Sequence, residues 1–138
     1  MNTHVLLIAD SPGNNRLISL ENIIATGQVG LLFMVPGMDE TLRVNGTAVL
    51  STDESERKLC EDNRRTPKLV IRVSVQASYL HCAKALIRSD LWNAEKHIDR
   101  SQLPSMGEMM RDQLAGKISP DTAVETQAQM LVRYQQTL

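Results

Sequence analysis

A chain of 138 residues with 42% hydrophobic side chains can bury a core without disulfide or metal staples, and it reads as one domain spanning residues 1–138. The 15 Lys and Arg nearly balance the 16 Asp and Glu, so no global field draws the protein to nucleic acid or to an anionic membrane, and any phosphate must be gripped locally. Cys60 and Cys82 stand far apart and outside metal-ligand spacing, which argues against a zinc site or a disulfide framework and suits a reducing, cytoplasmic compartment.

Val5 to Ala9 is an apolar strand run, too short for a signal-peptide core or a membrane span, and the turn formers from Asp10 to Asn15 end it. Leu17, Leu20, Ile23 and Ile24 recur at helical spacing, which predicts a short helix over 16–26 with these side chains on one face and Gly27 closing it. Gln28 to Val35 reads as a strand, Pro36-Gly37 as a turn, and Thr41 to Leu50 as the returning strand of a hairpin, with Leu42, Val44, Gly46, Ala48 and Leu50 on one face. Ser51-Thr52-Asp53-Glu54 has the form of a capping box and predicts a polar helix from Thr52 to Glu61 with Ser51 as its cap.

After the loop from Asn63 to Pro67, the clearest strand lies between Lys68 and Leu80, with Leu69, Ile71, Val73, Val75 and Ala77 on one face and Arg72, Ser74, Gln76 and Ser78 on the other. Cys82–Trp92, Pro104–Ala115 and Pro120–Thr137 read as helices, the last with Ser119 as N-cap and Pro120 at its first position. The expected class is mainly β with peripheral α. Four strands alone form an open sheet with two unpaired edges, and a second copy of the chain is an economical cover.

Three segments can carry chemistry. The loop from Asp10 to Arg16 leads into a helix and could seat an anion on its backbone N–H groups with Arg16 as a forked cation, although spacing alone favours a plain turn with Asn15 as N-cap and Arg16 solvated. Thr41, Arg43 and Asn45 form the polar face of a strand, suited to the edge of a flat ring or simply to solvent. From His81 to Ser89 the chain places Lys84 and Arg88 four residues apart on one helical face, either for an anion or as surface charge. Cys82 beside His81 makes a poor nucleophile and base, because sequence neighbours rarely hold that geometry. Trp92 suits a core or interface anchor or a ligand cover, and the Met106, Met109 and Met110 stripe suits adaptable packing.

Taken in order, Pro12-Gly13-Asn14-Asn15-Arg16, Val35-Pro36-Gly37 with Glu40 to Gly46, and His81-Cys82-Ala83-Lys84-Ala85 with Arg88-Ser89 and Leu91-Trp92 resemble the pyridoxamine 5'-phosphate oxidase-like FMN-binding split barrels, in a branch of unassigned substrate. The resemblance runs from about Val5 to Gly116 and takes in Leu103-Pro104-Ser105 and Asp112 to Gly116. It implies a six-stranded split barrel with C-terminal helices, working as a homodimer with FMN in a groove between subunits. Position by position, it implies Asn15 and Arg16 on the flavin phosphate, Thr41 at the ring, Arg43 toward the groove or the barrel, and His81, Lys84 and Arg88 where the second subunit closes over the cofactor. The family's upstream helix and strand are not matched ahead of Val5, so the expected barrel is N-terminally shortened. The arginine and histidine pattern that holds pyridoxine phosphate is not matched either, so vitamin B6 synthesis is not expected.

The function implied is an FMN-dependent oxidoreductase acting on a small molecule or a nicotinamide donor, in which the cofactor performs the redox step. The alternatives are a non-catalytic flavin or heme binding or storage module, and a truncated relative that has lost cofactor binding. No catalytic side chain is assigned.

Overall fold

The computed structural model describes residues 4–13, 16–62, 65–117, 119 and 123–137. They fall into two compact units, Met1–Asn93 and Ala94–Leu138. Among the described residues no helix is long and apolar enough to cross a membrane.

The first unit is built on an antiparallel sheet whose strands are β1 (Val5–Ala9), β2 (Gln28–Phe33), β3 (Thr41–Ser51) and β4 (Val70–His81), in the spatial order β1-β4-β3-β2. Helices α1 (Ile18–Thr26), α2 (Glu54–Leu59) and α3 (Lys84–Ser89) connect or follow these strands, giving a mixed α/β architecture. Among the described residues the sheet is open, with β1 and β2 at its margins, and has four strands where the family resemblance implies six.

The hairpin forms where expected, although β2 stops at Phe33 rather than Val35. Val35 to Met38 is instead a turn, with Gly37 at φ 85° and the Met38 N–H donating to the Val35 carbonyl at 3.0 Å; such a turn needs the positive φ that glycine supplies without strain. Gly27 likewise ends α1 in the left-handed region at φ 65°, its N–H donating to Ile23.

Ile23 meets Ala48 and Val73 in the core, with Leu6, Ile8, Val29, Leu31, Leu50 and Ile71 packed around them. Leu17 and Ile24 are exposed, contrary to the single apolar face predicted for this helix. Successive helical residues are turned by about 100°, so with Ile23 aimed at the sheet Ile24 is carried out of the contact. The helix begins at Ile18 with Leu17 in the N-cap place and no side-chain cap.

Two sequence expectations about β4 and its neighbour α2 are corrected. The strand spans Val70–His81, and its register with β3 slips between Asn45 and Gly46: Asn45 pairs with Ala77 and Gly46 with Val75, leaving Gln76 as the extra residue of a bulge. Alternation therefore inverts beyond it. Ala77 shares a face with Asn45 and not with Val75, and Ser78 and Leu80 turn to the core side. For α2 the cap is Asp53, whose carboxylate accepts from Ser55 N at 2.9 Å and Glu56 N at 3.1 Å. Ser51 is still the last residue of β3, paired with Val70, so its backbone is committed to the ladder.

In the second unit, α4 (Met106–Gln113) opens with a true capping box between Ser105 and Glu108, and α5 (Gln127–Thr137) follows. Short 3-10 turns at Ala94–Lys96 and Arg100–Gln102 precede α4. The helix predicted from Pro120 begins only at Gln127. Residues 120–122 lie outside the described set, 123–126 are irregular, and the cap is Thr126, whose hydroxyl accepts from Gln129 N at 3.3 Å while Gln129 Oε1 accepts from Thr126 N at 2.9 Å. Gly107 lets α4 approach the following segment closely, since a Cβ there would stand 2.6 Å from the Glu125 carbonyl oxygen.

Candidate functional site

The strongest concentration of predicted site residues is at one end of the first unit's sheet. Side chains on β3 alternate, so Thr41, Arg43 and Asn45 face away from the core, and their cross-strand partners share that face. Thr41 pairs with His81, Arg43 stands between Tyr79 on β4 and Leu32 on β2, and Asn45 stands between Ala77 and Gly30. The absent side chain at Gly30 leaves room for Asn45, whose Oδ1 would lie 3.2 Å from a Cβ added there.

Thr41 is the buried polar residue of this end, 8% exposed, directly after the connection from residue 34 to 40. That connection is held by the turn at Pro36-Gly37 and by Trp92, whose indole Nε1 donates to the Met38 carbonyl at 2.8 Å. Trp92 thus anchors the loop beside the strand end through its indole N–H. Arg43, Tyr79 and His81 are exposed. From His81 the chain passes through Cys82 and Ala83, where Cys82 Sγ accepts from Lys84 N at 3.4 Å, into α3. Lys84 opens that helix and Arg88 follows one turn later, both exposed, as the spacing predicted. The helix ends sooner than Trp92 because Asp90 takes a left-handed conformation at φ 50°.

Hydroxyl, guanidinium, imidazole and phenol groups are therefore paired on one face, and two further cations begin three residues after His81. Such a set can donate hydrogen bonds to a flat polar ligand and neutralise an anion. Arg16 is not brought to it by the sheet: β1 ends at Ala9 opposite Val70, which pairs with Ser51 at the far end of the ladder from Thr41 and His81, and Arg16 follows from there, exposed, ahead of α1. Asn15 lies outside the described residues.

Sequence reasoning missed Tyr79. Simple alternation from Val73 and Val75 would aim it into the core, and only the bulge at Gln76 turns it outward beside Arg43. The signal that could have found it is Gly46, since a glycine inside a strand often marks a bulge or a close backbone approach.

The carboxyls with shifted titration are structural. The Ser55 hydroxyl and the Glu56 amide hold Asp53 below the usual aspartate range, the Ser101 hydroxyl does the same for Asp99, and Ser105 for Glu108. Glu125 is lowered by its paired hydrogen bonds from Arg133, at 2.9 and 2.8 Å. Each is a helix or turn tie and not a poised acid–base pair. The second unit also holds an open cavity of about 450 Å³ lined by Arg100, Ser105, Glu108, Arg111, Glu125 and Gln127. None of the predicted site residues lines it, and much of its charge is engaged internally, with Arg100 donating to the Leu103 and Pro104 carbonyls. Among the described residues, no group of His, Cys, Asp and Glu is placed to hold a metal ion.

No protein-family model matches the chain, and no curated protein matches it either. Among solved structures, the chain is similar to tagged HupZ of Group A Streptococcus, at 20% identity and a TM-score of 0.46 over 58% of this chain and 65% of that one. A histidine-to-alanine variant of the same protein matches at 20% identity and a TM-score of 0.47, over 58% of this chain and 69% of the other. The chain thus covers just under two thirds of the length of the first.

Proposed function

We propose that this chain binds FMN between two copies of itself on a split-barrel scaffold, and acts as an FMN-dependent oxidoreductase on a small molecule or a nicotinamide donor. The observation that carries the reading is the meeting of Thr41, Arg43 and His81 on one sheet face, with Lys84 and Arg88 on the helix that follows. The residues fit such a ligand. Arg43 flanked by Tyr79 and Leu32 offers a patch with both apolar and donor character for a ring system, and Lys84 and Arg88 supply the local positive charge that a near-neutral chain needs for a phosphate.

When bound, the flavin supplies hydride transfer, so the protein needs no acid–base pair of its own. Lys84 and Arg88 neutralise the phosphate, Thr41 and Arg43 orient the ring by donating hydrogen bonds, and His81 closes over it. In this reading Arg16, which follows from the other end of the sheet, is contributed by the second copy.

Purified protein is expected to be yellow, or to take up FMN on dialysis, and to bleach when a reductant is added. Arg43→Ala and the double variant Lys84→Ala/Arg88→Ala are expected to weaken FMN binding about tenfold or more, since each tenfold corresponds to only about 1.4 kcal/mol. Protein that is colourless and gains no flavin overturns the proposal. Binding of FMN without turnover of nicotinamide donors, or a Soret band on adding heme, would instead select a non-catalytic module that stores or senses flavin or heme.

A further inference from the structure

We infer that the open cavity of the second unit binds a free α-amino acid with an apolar side chain, its carboxylate held by Arg100 and Arg111 and its ammonium by Glu108 and Gln127. The inference uses no residue of the flavin reading and stands apart from it.

The cavity measures about 450 Å³, within the range of small-molecule sites. Its polar groups come from the short turn that carries Arg100, from Glu108 and Arg111 on α4, and from Gln127 at the start of α5. The bonds these groups make within the unit leave a remainder. Glu125 is fully engaged, because Arg133 donates to both of its carboxylate oxygens, at 2.9 and 2.8 Å. Arg100 is held in place without being neutralised: Nη1 donates to the Leu103 carbonyl at 2.8 Å and Nη2 to the Pro104 carbonyl at 3.0 Å, and the other donors of its fork stay available. Arg111 meets Asp112 through Nε, at 3.5 Å, which leaves its terminal nitrogens for an anion. Glu108 accepts from Ser105 N through Oε2 at 2.7 Å and, as a carboxylate, keeps lone pairs for a further donor.

Gln127 gives the most direct sign of a ligand. Its Oε1 is buried, and among the described residues no donor reaches it. Native chains rarely leave such an acceptor without a partner. The last torsion of a glutamine side chain is soft, so the amide can turn to meet one.

This remainder is complementary to a zwitterion. Two guanidiniums call for a carboxylate, whereas a carboxylate and an amide oxygen call for a cationic N–H group. Glu108 and Arg111 are three residues apart on α4 and therefore neighbours on one face, so one small molecule can meet both. Leu103 and Val124 also line the cavity and give an apolar side chain a surface to pack on. An inorganic anion would face repulsion from Glu108 and leave Gln127 without a donor. Water would answer Gln127 but not the charge of Arg111.

Calorimetric titration of the full chain with L-leucine, L-methionine and L-phenylalanine tests this. At least one is expected to bind saturably at a single site with a Kd below about 1 mM. The N-acetyl derivative of that amino acid, which lacks the ammonium, and its amide, which lacks the carboxylate, are each expected to bind at least about tenfold more weakly. Glu108→Gln keeps a residue that can close the capping box and is expected to erase the preference over the N-acetyl form. Arg111→Gln is expected to erase the preference over the amide. Gln127→Leu removes the orphan acceptor, so Tm should not fall while affinity drops about tenfold; this separates ligand contact from a role in folding. The inference is overturned if none of the three amino acids binds with a Kd below about 1 mM, if the blocked forms bind as tightly as the free one, or if affinity survives all three substitutions.

Discussion

Gly46 decides more of this site than any charged residue does. A Cβ at this position would stand 2.1 Å from the Ser74 carbonyl oxygen and 3.0 Å from its carbon, so only glycine lets β4 bulge against β3 here. Both are backbone atoms and cannot rotate away. Gly46→Ala is expected to lose about 3 kcal/mol, read as a lower urea midpoint at constant slope, and to weaken any ligand held by Arg43 and Tyr79 because it shifts their register. Gly30→Ala is the contrasting case: its Cβ would meet only the Asn45 side-chain oxygen at 3.2 Å, which can move, so a loss within about 1 kcal/mol is expected from the same measurement. At this scale the sequence was partly legible. Thr41, Arg43 and Asn45 face away from the core as alternation predicted, but Ala77 and Tyr79 could not be assigned a face without knowing where the bulge falls.

At the scale of the element, caps explain most of the differences between expected and observed helices. Ser51, Asp53 and Thr126 all carry side chains of a kind that caps helices, and only Ser51 of the three is expected as a cap from the sequence. Strand pairing removes Ser51 from the competition, which leaves Asp53 to accept from two amides of the first turn of α2. Its lowered pKa fixes the sign of a pH effect. The folded state favours the ionised form, so the stabilisation is fully present above the usual aspartate range, about pH 4, and fades as the pH falls from there through the lowered folded value. Asp53→Ala is therefore expected to lower Tm at pH 7, with the difference from wild type narrowing in thermal melts as the pH falls below the usual aspartate range. In the second unit, Ser105→Ala removes half of the capping box of α4 and is expected to cost about 1 kcal/mol by chemical denaturation.

The whole first unit depends on a small core. Val73 is fully buried, and with Ile23 and Ala48 it joins the helix to the middle of the sheet. Val73→Ala is expected to cost about 2 kcal/mol and to lower Tm by about 10 °C, whereas Ile24→Ala, on the exposed flank of the same helix, should stay within about 0.5 kcal/mol. A scan that found the two variants equivalent would refute the assignment of faces on α1.

By itself the sequence determined the order and kind of the elements, the turns at Gly27 and Pro36-Gly37, and the polar character of the strand that carries Thr41 and Arg43, because these depend on propensity, alternation and backbone freedom within a few residues. Tertiary structure alone decided the strand order, the inversion of faces past Gln76, the burial of Thr41 opposite His81 and the anchoring of the 34–40 connection by Trp92. The reason is that each of these joins residues tens of positions apart, and a shift of one residue in pairing exchanges the two faces of a strand while leaving its local sequence preferences untouched.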